Sequence, residues 1–598
     1  MSRARVSALG AGVVVAVAAA GMLLTAAAGS SPGRPIKNNV LAHALGAPVG
    51  HSAADPKKAG APLSGGVMTT LLEATTDVAA HGPTVQLNST PTTEGCRNTY
   101  ASSITPANVR VNQDCSFRRQ AEEVVVANPT NPHNLIAGQN DSRIGFNHCG
   151  YDWSLNDGRS WGDQTPPFYG HIGLAGYTYD ACSDPTVTFD RNGRAYAGGV
   201  LFQIFDCQSA VAVTASNFAG QFWHNPNGDP FTTNLGVVAE DYDCDIFHDK
   251  EFIVADASAA SPKANNVYAT WTRFDSATGN SPIYFSQSTN GGVTWSPGIE
   301  ISGNNPAICT FGGAVPGACD QDQGSHPIVG PDGTIYVVFG NANTPLFGIN
   351  QVAFVKCPAN LNCALPASWS TPVKVGDLVG LHPIDFGPDG GVGCPTFRQC
   401  LPPNGYRVPE FTSMTASIDG SGRLYVSWAD FRNGFVPPCD TLDMATAAPP
   451  CNNDVFYASS TDGGASWSSS RLVTPASNSQ FGRTAQWQPW SDVTPGGKLI
   501  VGFYDRRFGN CEFTGCNDIT VARVTNAASG SPSYSYQRIT TSSMPNLIPA
   551  NNPVQAGFLG DYMWVDVDNV NRAHIVWADT RGLNGTVEED IYYATVTP

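Results

Sequence analysis

The chain has 598 residues, too many for one ordinary core, with 62 Gly, 44 Pro, 10% aromatic and only 14% charged residues. That turn-rich, sparsely charged composition excludes a coiled coil and a disordered chain, and it points to a closed or repeated β architecture, which can run long as one unit. The formal net charge of −17 repels phosphate backbones at long range, so nucleic acid is not an expected partner.

Arg3 and Arg5, the apolar run Ala8 to Leu24, and Ala26-Ala27-Ala28 before Gly29 have the order of a secretory signal peptide over residues 1–28. An uncleaved anchor is the other reading of that run. No later run is long and apolar enough to span a bilayer, so no further membrane span is expected. All 16 cysteines follow the signal, and five close pairs stand out: Cys309/Cys319, Cys357/Cys363, Cys394/Cys400, Cys439/Cys451 and Cys511/Cys516. An even count in an exported chain argues for local disulfides, with Cys96/Cys115, Cys149/Cys182 and Cys207/Cys244 completing the set. Neither C-x-x-C nor a mixed Cys/His spacing occurs, so structural zinc is not expected. A secreted, extracellular, monomeric protein is the expectation. Residues 29–106, rich in Ala, Gly, Pro, Ser and Thr, read as a flexible leader. The apolar stretch around Val67 to Leu72 is its one candidate for docking.

From residue 107 to 598 the expected domain is all-β. A unit of alternating strand, tight polar turn and second strand recurs near Glu122, Asp184, Asp249, His326, Thr412, Gln488 and Asp561. Its turns, D-R-N-G, P-D-G, D-G-S-G and P-G-G, supply the positive-φ residues that hairpins demand. Starts 62 to 86 residues apart leave room for two more strands per unit. Seven such antiparallel units, set radially, make a β-propeller of four-stranded blades. The chain ends at Pro598, where the last blade still lacks a fourth strand, and Asn108-Val109-Arg110-Val111-Asn112 alternates with period two just before the first unit. That segment is expected to pair with Tyr592 to Val596 and close the ring, because a three-stranded blade would leave an open edge.

Three of the units carry a second motif: SLNDGRSW (Ser154 to Trp161), STNGGVTW (Ser288 to Trp295) and STDGGASW (Ser460 to Trp467), each preceded by Tyr151, Phe285 or Tyr457. The Asp or Asn oxygen can accept backbone N–H bonds in the turn, Gly permits left-handed geometry, and Trp packs back onto the blade. Ala215 to Trp223 reads as a degenerate copy that keeps only the Trp, and Cys357/Cys363 replaces the motif in the fourth unit. The motif resembles the Asp box, or BNR repeat, of the sialidase-like propellers, over Arg118–Pro598, about four-fifths of the chain. Catalytic members of that family have six blades, which keeps a six-bladed count as the alternative. Their R-I-P triplet has only Arg143-Ile144-Gly145 as a counterpart here.

In a four-stranded meander the A–B and C–D turns share one rim, while the B–C and D–A connections share the other. The longest connections fall on this second rim, which is therefore the candidate site face. Just after the second strands the pattern D-x-R recurs, with Arg143, Arg432, Arg507 and Arg581. Converging on the axis, these arginines would bind a carboxylate or sulfate bidentately, and the resemblance implies a substrate carboxylate; inter-blade salt bridges are the other reading of a pattern at equivalent blade positions. Neither H-E-x-x-H nor G-x-S-x-G occurs. The family uses a tyrosine nucleophile assisted by a glutamate, with an aspartate as acid/base. Its counterparts by topology are Tyr562, Glu410, and Asp184 or Asp249. Asp241, Asp243 and Asp245, with Asp249 and Glu251 close behind, alternate oxygen donors in a way that suits Ca²⁺. A solvated acidic loop and a catalytic carboxylate are the other readings, and no cofactor is otherwise required. The implied function is a glycoside hydrolase acting on a glycan or glycoconjugate. A non-catalytic glycan- or protein-binding propeller is the alternative, and other enzyme chemistry, such as a lyase, stands behind both.

Overall fold

The computed structural model describes residues 35–46, 63–75, 99–114, 119–143, 147–164, 179–224, 236–312, 315–345, 349–380, 400–401, 406–408, 413–433, 453–475, 484–508, 517–545, 558–582 and 589–598. Alternating apolar residues on each hairpin strand must be buried on both faces, and stacking blade on blade around an axis does this. Seven antiparallel blades result. The innermost strands (A) are Gln120–Asn128, Ala181–Phe189, Ile246–Ala255, Asp322–Val329, Thr415–Ile418, Gln486–Val493 and Trp564–Val567. Strands B, C and D follow outward in blades 1 to 6. In blade 7, B is Ala573–Asp579 and C is Asp590–Val596. Large aromatics fill the spaces between blades: Trp271, Trp428, Trp487, Trp490 and Trp577 are all fully buried.

The fourth strand of blade 7 comes from the other end of the domain. Asn108–Arg110 pairs antiparallel with the C-terminal strand, Val109 opposite Tyr593 and Arg110 opposite Tyr592, and Thr99–Tyr100 adds an edge strand outside it. Val111 N–H donates to Ile591 O at 2.8 Å, and Asn112 bonds both Asp590 (3.0 Å) and the Ile591 N–H (2.9 Å). Arg110 forms an ion pair with Asp590, and both side chains are wholly buried.

The Ser–Trp turns lock neighbouring blades. In each, the serine Oγ accepts the glycine N–H four residues on, at 2.9, 2.8 and 2.9 Å for Ser154, Ser288 and Ser460. The glycine has positive φ and sits against the preceding blade: a Cβ on Gly464 (φ +83°) would lie 2.2 Å from the ring of Phe354. Trp467 meets the same Phe354 edge-on at 5.2 Å. The copy in blade 2 keeps more than its Trp, because Ser216 Oγ accepts the Gly220 N–H at 3.2 Å in the same register. In blade 4 the Cys357–Cys363 disulfide takes the turn's place, and Trp369 packs on Phe285 of blade 3.

Cys149–Cys182, Cys207–Cys244 and Cys309–Cys319 are likewise bonded. Each of the other four expected pairs includes a cysteine outside the described residues. No helix among the described residues is long and apolar enough to cross a membrane.

The leader differs from the featureless segment expected. Two of its stretches are helices, α1 (Asn39–Gly46) and α2 (Gly65–Thr75), packed together on the site-rim ends of blades 2 and 3 through Val40, Leu41, Val67, Leu71, Phe202 and Phe247. Asn38 caps α1, accepting from Val40 N–H at 3.0 Å, while its amide donates to Ile246 O at 2.8 Å.

Two outcomes are expected from the closure. Arg110→Ala strands the Asp590 carboxylate without its cation and should cost about 3–5 kcal/mol, read as a lower denaturant midpoint. Deleting residues through Gln113 should abolish the single cooperative transition in calorimetry; an unchanged transition in the truncated chain contradicts closure by this strand.

Candidate functional site

The innermost strands share a defect at their site-rim ends. In blades 1, 2, 3, 4 and 6 the A–B register slips after the first residues of strand A. The residue at the slip is left-handed: Glu122 (φ 59°), Asp184 (57°), Lys250 (54°), Gly324 (70°) and Gln488 (45°). Such a bulge turns polar side chains that would alternate along the strand toward the axis. For non-glycine residues it stores strain of about 1–3 kcal/mol each, which the surrounding packing must hold.

The result is a buried charged knot. Lys250 Nζ donates to Asp184 Oδ1 at 3.3 Å and lies 3.5 Å from the ring centroid of Tyr562. Arg407 pairs with Asp561 at 3.2 Å. Glu122 accepts from the Asn140 amide, whose oxygen accepts the Asp184 N–H at 3.1 Å. Glu122, Asp184, Asp249, Glu251 and Asp561 are all buried. The floor is aromatic: Trp490 stacks on Trp564 at 3.9 Å, and Phe252, His326 and Tyr562 close around them. Burial pulls the His326 imidazole down to about 3, and its Nδ1 accepts the Ala416 N–H at 3.0 Å.

Burial and neighbouring charge raise three of these carboxyl groups, Asp249, Glu251 and Glu122. Burial, then the charge of Asp184, pushes Asp249 up to about 8. The same two causes raise Glu251, and burial with Asp184 and Asp561 raises Glu122. The Tyr562 phenol is raised by burial first and Glu122 second; its hydroxyl donates to Pro185 O at 3.4 Å.

Of the candidates named above, Asp184, Asp249 and Tyr562 meet in this knot. Glu410 lies outside the described residues. The four D-x-R arginines stand elsewhere, each against its own aspartate: Arg143 Nε to Asp141 at 2.6 Å, Arg432 to Asp430 at 2.9 Å, Arg507 to Asp505 at 2.7 Å and Arg581 to Asp579 at 2.9 Å. They also reach outward, Arg432 to Asp377 O at 2.7 Å and Arg581 to Asn108 at 2.9 Å, tying strand B to the outer strands. Asp241, Asp243 and Asp245 do not share a centre. Asp241 faces His248 (3.0 Å) and Arg273 (3.5 Å), Asp243 accepts the Asp245 N–H at 3.0 Å, and Asp245 accepts from Asn39 (2.7 Å) and Ser276 (2.6 Å). Among the described residues no three such side chains could hold a metal ion.

Glu122, Lys250, Arg407 and Asp561 escaped the sequence reading. A signal was present, since a charged pair opens otherwise apolar strands in EEVVV and KEFIV. A residue missed altogether is Ser64, just before α2: its N–H donates to Asp249 and its hydroxyl to Asp184, both at 2.6 Å.

No family model matches the chain, and no curated protein matches it significantly. Solved structures similar to it include a protein of unknown function from Dyadobacter fermentans (12% identity, 82% of this chain and 97% of that one, TM-score 0.38). An α-L-arabinofuranosidase of Fusarium graminearum aligns at 9% identity (69% and 92%, TM-score 0.37). A Hadza microbial sialidase aligns at 10% (77% and 76%, TM-score 0.37).

Two measurements follow. The native state holds the Asp249 proton to about pH 8, whereas an unfolded aspartate releases it near pH 4, at about 3.9. Its contribution to stability is therefore full below about pH 4 and is lost as pH rises through about 8. Asp249→Asn should flatten that decline in urea midpoints taken across the window. Arg507→Ala leaves Asp505 buried without its cation and should lower the unfolding free energy by about 3 kcal/mol or more, read as a lower urea midpoint.

Proposed function

We propose that this propeller is an extracellular glycoside hydrolase working at the site-rim end of its axis. The observation that carries the reading is the gathering of Asp249, Asp184, Glu122 and Tyr562 over an aromatic floor on bulged strand ends. Glycoside hydrolysis needs an acid that keeps its proton at working pH and a nucleophile on the other side of the anomeric carbon. Asp249, neutral to about pH 8, is the proton donor to the leaving oxygen. Tyr562 is the nucleophile, and Glu410, its assisting glutamate by topology, takes the phenol proton. Lys250 over the Tyr562 ring favours the phenolate, and Asp184 holds Lys250 there. The aromatic floor suits the apolar face of a sugar ring. Four disulfides fit an oxidising, extracellular setting.

A second reading, a non-catalytic glycan- or protein-binding propeller, is favoured by one observation: the four D-x-R guanidinium groups are each engaged by their own aspartate rather than grouped at the axis. A panel of chromogenic glycosides separates the two. The hydrolase reading expects turnover that falls at least 100-fold in Asp249→Asn and in Tyr562→Phe, with the fold intact by circular dichroism. Binding without turnover of any glycoside selects the second reading.

A further inference from the structure

The blades follow one plan, and it is broken twice at one place on the rim opposite the axial knot. The A–B connection has two residues in blade 1 and five in blades 2, 4, 5, 6 and 7, but 11 in blade 3, residues 256–266. This longer turn is pinned to blade 4, Ser258 Oγ donating to Pro331 O and Lys263 Nζ to Leu361 O, both at 2.5 Å. The second break is in the Ser–Trp turn of blade 2. Elsewhere the third and seventh positions of that turn hold a bonded polar pair: the Asn156 amide donates to Ser160 and the Asn290 amide to Thr294, both at 2.9 Å, and Ser466 donates to Asp462. In blade 2 the same positions are Phe218 and Phe222, whose rings meet edge to face at 5.9 Å. They are 56% and 45% exposed, so neither ring serves the core, and an aromatic pair held in water marks a contact surface.

Between the two breaks lies a cavity of about 590 Å³, walled by the A–B and C–D turns of blades 2 and 3, a size that small-molecule sites commonly have. Asn217, the residue before Phe218, is in its wall, so cavity and ring pair adjoin. Five of the lining residues are asparagines: Asn192, Asn217, Asn265, Asn266 and Asn290. An amide presents an acceptor and two donors, which suits a hydroxyl that both donates and accepts. The charged groups of the lining are one acid and one base, Asp190 and Arg194. The fold already engages the acid: Asp190 Oδ1 accepts the N–H groups of Asn192 (2.9 Å) and Arg194 (3.0 Å), and Oδ2 accepts the Tyr196 hydroxyl at 3.1 Å. The Arg194 guanidinium lies over that same Tyr196 ring, 5.4 Å from its centroid.

We propose that this place is a saccharide site separate from the axis, taking a neutral oligosaccharide whose hydroxyls enter the asparagine-lined cavity while the apolar face of an adjoining sugar ring lies on Phe218 and Phe222. A lining with one charge of each sign favours a neutral ligand over an acidic or a basic one. A protein partner would need a broad apolar patch, whereas here two rings flank a polar concavity. The site stands whether or not the axis is catalytic, because the two lie at opposite ends of the propeller and share no residue.

The test is isothermal titration calorimetry on the whole chain with cellotetraose, xylotetraose and 1,5-arabinotetraose, and with tetragalacturonate as the charged probe. The double variant Phe218→Asn/Phe222→Thr gives blade 2 the polar pair that blade 3 has in Asn290 and Thr294, and so keeps the turn. At least one neutral probe should bind the parent, and bind the double variant about tenfold more weakly, with the urea midpoint no lower. Asn217→Leu places there the residue that blade 1 has in Leu155. It removes the amide beside the rings and should weaken binding in the same direction, which keeps the test decisive if the double variant misfolds. Asp249→Asn, at the axis, should leave this binding in place. No binding of any neutral probe, unchanged affinity in both rim variants, or tetragalacturonate bound as tightly as the neutral probes overturns the inference. Binding that survives both rim variants and is lost in Asp249→Asn assigns the saccharide to the axis and overturns it as well.

Discussion

Everything in this molecule depends on one antiparallel pairing between the two ends of its propeller, Asn108–Arg110 against the C-terminal strand. A ring of blades has no edge only when it closes, and each blade buries its faces only when both neighbours are present. The buried Arg110–Asp590 ion pair sits at this seam. A charge pair out of water contributes less to net stability than apolar packing would, but it tolerates only one register. Val111, wholly buried in the main core, continues the same strand inward toward blade 1. The axis where the charged knot forms exists only because the seam holds the ring to seven.

At that axis the fold does what ordinary cores avoid. Left-handed Glu122, Asp184 and Lys250 bring ionisable groups into a space floored by tryptophans, and Glu122 responds by keeping its proton. Strain and desolvation in one place are what a reactive site requires, and a rigid ring of strands supplies the means to hold them. The arginines of the D-x-R pattern do the opposite work. Each fastens the end of a B strand to its own aspartate, and Arg432 reaches across to Asp377 of the preceding blade, so the pattern repeats because the blades do.

Legibility in the sequence followed the range of the interaction. Hairpin turns and Ser–Trp turns are written in a few consecutive residues, and the blade count followed from them. The closing strand could be found because the last unit was short of one. Asp184, Asp249 and Tyr562 were placed at one end of the molecule through topology alone, and the structure brings them together there, near the starts of A strands. The bulges were not legible: Glu and Lys in left-handed geometry are held there by neighbours from other blades, which no local pattern announces. Nor was α2. With Gly65 and Gly66 at its start and two threonines in its middle it is a weak helix former, and its conformation comes from burial against α1 and blades 2 and 3. Asp245, read with Asp241 and Asp243 as a set of oxygen donors, instead receives Asn39 of α1; the residue types were the same, and only the distant partner decides between the two roles.

The Ser–Trp turns give the ring a direction in time. Gly220 meets Ile136 of blade 1, Gly291 the Arg194 of blade 2, Trp369 the Phe285 of blade 3 and Gly464 the Phe354 of blade 4. Each of these turns, in blades 2 to 5, thus leans on a blade made earlier, so those blades find their docking surface already folded. Blade 1 is the exception, because its Gly158 and Trp161 rest on Tyr593 of blade 7, far later in the chain. Its turn has nothing to grip until blade 7 is made, so the first blade to emerge is the last to be locked in place.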